Sequence, residues 1–189
     1  MSKLIQKTLL LALAASIAFG AADAFGGDIR TKSTSYGLKA GMISPGIWYV
    51  GDFEYEPDAS YTFGGFIDHQ LGPKISGGVS LDIHGFSAYE ESNNLIDLGI
   101  TIKAMLFSEG SQFTFRPGIG IAYGTLGKMG IYESSTYMLL KGGLEVIIST
   151  SGNISWLGEI GLFGAPTGGN DDADMYLDTG LLARAGIVF

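Results

Sequence analysis

The sequence predicts an all-β fold, an eight-stranded antiparallel up-and-down transmembrane β-barrel. Three observations carry this reading. Apolar residues alternate at period 2 along eight segments, while the helical period of 3.6 is absent. Charged residues make up only 16% of the chain, against about 25% in ordinary soluble domains. Those charges that fall inside the segments share one face, opposite the apolar one.

The elements follow in order. Met1 to Ala24 reads as a secretory signal: Lys3 and Lys7 form a positive start, Leu9 to Phe19 an apolar stretch, and Ala22-Asp23-Ala24 a small-x-small cleavage site. The apolar stretch is too short to span a bilayer, which takes about 20 residues. Residues 25–33 are a periplasmic lead, and 34–189 form the barrel domain. Strands are expected near 34–43, 60–69, 74–87, 95–107, 112–125, 135–149, 153–164 and 176–189. Tight turns are expected at Gln70-Leu71-Gly72-Pro73, Ser108-Glu109-Gly110-Ser111 and Thr150-Ser151-Gly152-Asn153, which carry the residues that tight turns favour. Longer, acidic loops fill 44–59, 88–94, 126–134 and 165–175. Short turns at one end and long loops at the other match the pattern of bacterial membrane barrels. The even strand number places both termini at the short-turn end.

The apolar residues set the phase of each strand. Leu38, Ala40 and Met42 share a face in the first, Ile96, Leu98, Ile100 and Ile102 in the fourth, and Leu181, Ala183, Ala185 and Ile187 in the last. The charges then test that phase. Lys39, Asp68, Asp82, Asp97, Lys103, Arg116, Lys141, Glu145, Glu159 and Arg184 all fall on the opposite face, which period-2 alternation would give by chance about once in a thousand. A charge on the lipid face costs about 2–4 kcal/mol at mid-membrane, which accounts for the bias. The five bases and five acids form a near-neutral lumen network, and glycines such as Gly64, Gly99, Gly118 and Gly143 make room for it in so narrow a barrel. The lumen therefore reads as a polar plug. A soluble barrel would be inverted, apolar inside and charged outside.

Aromatics fall in two bands, as the girdles of a membrane barrel do. Trp48, Tyr49, Tyr55, Tyr61, Phe63, Tyr89, Tyr123, Tyr132, Tyr137 and Tyr176 lie near the long-loop end; Phe107, Phe113, Phe115, Trp156 and Phe189 lie near the short-turn end. Pro117 sits inside the fifth strand, where a closed barrel has no free edge, and a β-bulge at Arg116–Gly118 would accommodate it.

Composition excludes several classes. A formal charge of −8 argues against nucleic-acid binding. The absence of Cys removes disulfide frameworks, thiolate metal sites and an acylated Cys anchor. With two His, chemistry has few candidates. His84 faces inward beside Asp82 and Ser80, with Ser87 and Glu90 nearby, and reads as a lumen histidine hydrogen-bonded to an Asp. His69 reads as a solvated rim residue. Asp52, Glu54, Glu56 and Asp58, and again Asn170, Asp171, Asp172 and Asp174, make acidic loop clusters that could weakly hold a divalent cation. Neither cluster has the EF-hand spacing.

The C-terminal stretch Leu181-Leu182-Ala183-Arg184-Ala185-Gly186-Ile187-Val188-Phe189 resembles the terminal signal of bacterial outer-membrane proteins, with Ala185, Ile187 and Phe189 as its alternating positions. Tyr36-Gly37-Leu38-Lys39-Ala40-Gly41 and Phe115-Arg116-Pro117-Gly118-Ile119-Gly120 look like strands of the generic outer membrane protein β-barrel family. The chain thus resembles the small OmpA/OmpX-type barrels over about 34–189. That resemblance implies the cell outer membrane as location, after secretion through the inner membrane. It implies outer-membrane lipid, lipopolysaccharide and the barrel-assembly machinery as partners, and no cofactor. It leaves function open between a non-enzymatic structural or surface-interaction barrel, a small pore or hydrophobic-ligand conduit, and a lipid A-modifying enzyme using His84 and Ser87.

Overall fold

The computed structural model describes residues 32–88, 91–108, 110–129, 133–150, 154–171 and 173–189. The signal segment, most of the 25–33 lead, Tyr89, Glu90, Glu109, Tyr132, Asp172 and the Ser151–Asn153 turn lie outside them. Ten strands form one antiparallel sheet: β1 (Thr34–Ser44), β2 (Trp48–Val50), β3 (Phe53–Tyr55), β4 (Ser60–Gly72), β5 (Ile75–Ala88), β6 (Glu91–Ala104), β7 (Phe113–Leu126), β8 (Ser135–Ile148), β9 (Ser155–Gly169) and β10 (Met175–Val188). Eight of them, β1 and β4 to β10, pair in sequence order, and β1 closes on β10 from Gly37↔Val188 to Ser44↔Leu181. The result is a closed eight-stranded antiparallel barrel, with no edge strand left along the wall.

Strand phase follows the period-2 pattern. Leu38, Met42, Ile100, Ile102, Ile119, Trp156, Ile160 and Leu181 are exposed on the exterior, while Lys39, Thr62, Asp82, Asp97, Arg116 and Arg184 are buried in the lumen. Alternation alone fixes this, because a one-residue slip would turn every side chain to the other face.

The connections differ from expectation. The 44–59 segment holds a hairpin, β2–β3, that continues the wall past the barrel mouth as a flap. Its register is that of the strands below: Ile43 faces Ser60 and Trp48 faces Tyr55, while on the other side Ser44 faces Leu181 and Trp48 faces Leu177. Pro45 interrupts the ladder because it lacks an N–H, and the Asp178 N–H bonds to the Ile47 carbonyl across the gap. The flap turns at Gly51, whose φ of 58° suits glycine.

The expected loop at 88–94 is nearly absent, since β5 and β6 stay paired to Ala88↔Glu91. The 165–175 loop shortens to 170–174 because β9 runs on to Gly169. The turn placed at 108–111 is instead the longer connection 105–112, bridged by Leu106 and Phe115. No bulge surrounds Pro117, which keeps the β8 register between Arg116↔Glu145 and Gly118↔Gly143. The Phe115 N–H and carbonyl both point to Leu106, so the proline nitrogen, two residues on, also points toward β6. There the ladder is interrupted: β6 ends at Ala104, and pairing with β7 resumes only as the Leu106↔Phe115 bridge.

Candidate functional site: the barrel lumen and its lid

Charge arrangement follows from register. Asp82 stands directly opposite Asp97, and Glu145 directly opposite Glu159. Facing carboxylates repel one another, and each pair is bridged by a lysine reaching across the lumen. Lys141, from β8, places Nζ 2.8 Å from Asp82 Oδ2 and 2.5 Å from Asp97 Oδ1. Lys39, from β1, lies 3.1 Å from Glu159 Oε2 and 3.8 Å from Glu145 Oε1.

The other bases link these pairs. Arg184 makes a bidentate pair with Glu159, at 2.8 and 2.9 Å, and donates to Asp82 Oδ1 at 2.6 Å. Lys103 lies 2.9 Å from both Glu145 and Asp68. Arg116 contacts Asp68 and approaches Glu145 at 3.3 Å. All ten ionic residues named from the sequence thus join one chain of alternating sign, from Asp97 near the flap to Asp68 near the turns. Between the levels of Lys39 and Asp68, Phe66 offers its ring to Lys103, Lys39 and Arg116 at 4.4, 5.3 and 5.8 Å, within cation–π range. The void between these groups is about 50 Å³, and a water needs about 10–15 Å³, so it holds only a few.

His84 ends the chain. Its Nε2 lies 2.9 Å from Asp97 Oδ2 and its Nδ1 2.9 Å from Thr62 Oγ1, so Asp97 rather than Asp82 is its partner. An ionised Asp97 can only accept, which puts a proton on Nε2. Ser87 does not join it. β5 keeps regular register from His84 to Ser87, and positions three apart lie on opposite faces. His69 is exposed beside Thr34, its Nδ1 3.0 Å from Thr34 Oγ1. Asp82, His84 and Asp97 bring ligand atoms within 4.8 Å of one another, a spacing a metal could use. Here Lys141 and Arg184 already supply the positive charge.

The outer part of the lumen departs from the purely ionic interior that the charges suggest. An apolar layer of Phe86, Leu95, Leu126, Leu139, Phe163 and Met175 lies between the ionic chain and the mouth. Trp48 and Tyr137, placed in a girdle by sequence position, both point inward and are 3% exposed. The Trp48 indole donates to Tyr137 Oη at 2.9 Å, and its ring packs on Phe86 and Tyr55 at 5.3 and 5.5 Å. Trp48 is the lid of the barrel. The available signal was Gly51-Asp52 between two alternating triplets, a two-residue hairpin pattern. Tyr61, Phe63, Tyr123 and Tyr176 are exposed on the outside near the flap end, and Phe107, Phe113, Phe115 and Trp156 near the turns. Asp52, Glu54, Glu56, Asp58, Asp171 and Asp174 are exposed, and the described members of the loop clusters do not gather into a metal-ligating group.

No family model matches the chain, and no curated protein matches it. Solved structures do. Neisserial surface protein A (NspA) superposes with a TM-score of 0.61 at 9% identity, covering 83% of this chain and 96% of that one. The outer membrane protein OprG from Pseudomonas aeruginosa superposes with a TM-score of 0.54 at 10% identity, covering 86% and 99%. At such identities the likeness concerns fold alone: this chain has the eight-stranded barrel fold of the small outer-membrane proteins.

Proposed function

We propose that the chain is an integral outer-membrane barrel of Gram-negative type, non-enzymatic, with a sealed lumen and a structural or surface-interaction role. An exterior of Leu, Ile, Phe and Trp around an ionic interior supports the membrane setting, because such a wall is stable only against acyl chains. One observation carries the sealed-lumen reading: an unbroken ion-pair chain lies beneath an apolar layer and a tryptophan lid. A pore needs a continuous water path, and the small lumen void disfavours one. The separation of His84 from Ser87 disfavours the enzyme reading. Outer-membrane lipid and lipopolysaccharide are the proposed surroundings. Ala185, Ile187 and Phe189 are the proposed signal for the barrel-assembly machinery, and the acidic loops a proposed weak site for divalent cations.

Two measurements test this. The chain should fractionate with the outer membrane and migrate faster on gels when unboiled; recovery as a soluble periplasmic protein would overturn the membrane reading. Purified protein in planar bilayers should give no stable single-channel steps. Reproducible steps would overturn the sealed lumen and favour the pore.

A further inference from the structure

The barrel exterior carries a built cleft just below the flap, and its origin is legible residue by residue. On β8 and β9 the outward positions Gly142 and Gly164 lack side chains, and each sits directly opposite a leucine: Gly142 faces Leu162 and Gly164 faces Leu140. The glycines make the floor of a slot and the leucines its apolar walls. Ladder irregularities flank it on both sides of β9. Register shifts between Met138 and Leu140 on β8, and between Leu177 and Gly180 on β10. The second shift leaves Leu177 and Gly180 buried inward and turns both Asp178 and Thr179 outward. The groove is open to the surroundings of the barrel and encloses about 630 Å³.

Its upper end is different in chemistry. Tyr49 and Tyr176 face each other across β2 and β10 and stack at 4.3 Å with planes 13° apart. Beside them stands the exposed Asp178 carboxylate, on the outer side of the wall and away from the lumen cations, its Oδ1 accepting from the Thr179 N–H at 2.6 Å. The Tyr49 phenol is held above its ordinary range by partial desolvation and by the negative charges of Glu54 and Asp178. An alkyl slot that ends in an aromatic face and a carboxylate is complementary to one kind of molecule.

We propose that this cleft binds a cationic amphiphile dissolved in the outer leaflet, its alkyl chain in the Gly142–Gly164 slot and its ammonium between Asp178 and the Tyr176 ring. An anionic amphiphile is repelled by the same carboxylate. This inference rests on the membrane reading above. It adds a ligand class to the barrel's outer wall and leaves the sealed lumen unused.

The test is a titration of folded protein in neutral maltoside micelles with dodecyltrimethylammonium, followed by amide NMR shifts, with dodecyl sulfate as the anionic arm. Saturable shifts are expected at 162–164 and 176–179 with the cation only. Gly142→Leu fills the slot, and a Cβ there meets nothing closer than the Gly118 carbonyl at 3.9 Å, so the variant should fold. It should weaken binding about tenfold, and Asp178→Asn about fivefold. Unboiled gel mobility verifies that each variant is folded. Shifts spread evenly over the exterior, equal binding of dodecyl sulfate, or indifference to both variants would each overturn the site. A chain that stays dissolved without detergent defeats the membrane reading and the cleft together. A chain that needs micelles but shows no saturable binding defeats the cleft alone.

Discussion

Asp82 shows what a buried charge requires. It is 1% exposed, faces Asp97 across the ladder, and is held by Lys141 on one oxygen and Arg184 on the other. Removing one member of such a set leaves its partners buried and uncompensated, which costs about 3–5 kcal/mol. Asp82→Asn should therefore lower stability by about that amount in urea unfolding of the reconstituted protein. The double variant Asp82→Asn with Lys141→Met should lose less than the single one. Arg184 then keeps Glu159, Asp97 keeps His84, and no unpaired ammonium remains. Equal or greater loss in the double variant would contradict the alternating chain. Glycines give a second contrast at this scale. A Cβ on Gly186 would run into the Leu38 carbonyl and the Lys39 Cα, both backbone, whereas one on Gly158 meets nothing within 4 Å. Gly186→Ala should slow or prevent closure of β1 on β10, read as loss of the fast-migrating unboiled band. Gly158→Ala should change stability by no more than about 0.5 kcal/mol.

The flap is the element that sets the outer mouth. Its two short strands would not hold alone. They hold because they inherit the β1, β4 and β10 registers and because Trp48 is buried against Tyr137, Phe86 and Tyr55. Truncating a buried Trp costs about 3–5 kcal/mol, so Trp48→Ala should destabilise the barrel by that order in the same urea assay. The chain has two Trp, which makes their settings separable. In reconstituted vesicles Trp156, 61% exposed on the outer wall, should be quenched by brominated lipids. Trp48, read in the Trp156→Phe background, should resist both brominated lipid and aqueous acrylamide. Quenching of Trp48 by acrylamide would mean that the lid is open. Much of this element could be read from the chain, through Gly51-Asp52 and the alternation of Trp48, Val50, Phe53 and Tyr55. Pro45 and Pro57 disguised it, because prolines so close to alternating residues read as loop.

For the whole molecule, an alternating pattern of period 2 determined nearly everything about the wall. Which residues face lipid and which face inward follows from a pleat that gives each side chain no third choice. The ten charges of the lumen chain share one face because a charge on the lipid face near mid-membrane costs about 2–4 kcal/mol, and Asp178, toward the flap end of β10, is the exception that only the ladder revealed. The chain length and the turn residues likewise implied eight strands and a closed sheet. Tertiary structure decided the rest, because closing the sheet brings together positions that are remote along the chain. Lys39 meets Glu159, and Arg184 meets Asp82, only once β1 has closed on β10. The layering of the interior was equally hidden. Inward Leu, Phe and Trp have the same period as inward Lys and Asp, so their height along the barrel appears only when the strands are stacked in register. The exterior cleft is flanked by two one-residue register shifts, of which the one on β10 turns Asp178 to the outside wall. A pattern of period 2 specifies faces, and only the paired ladder specifies who stands beside whom.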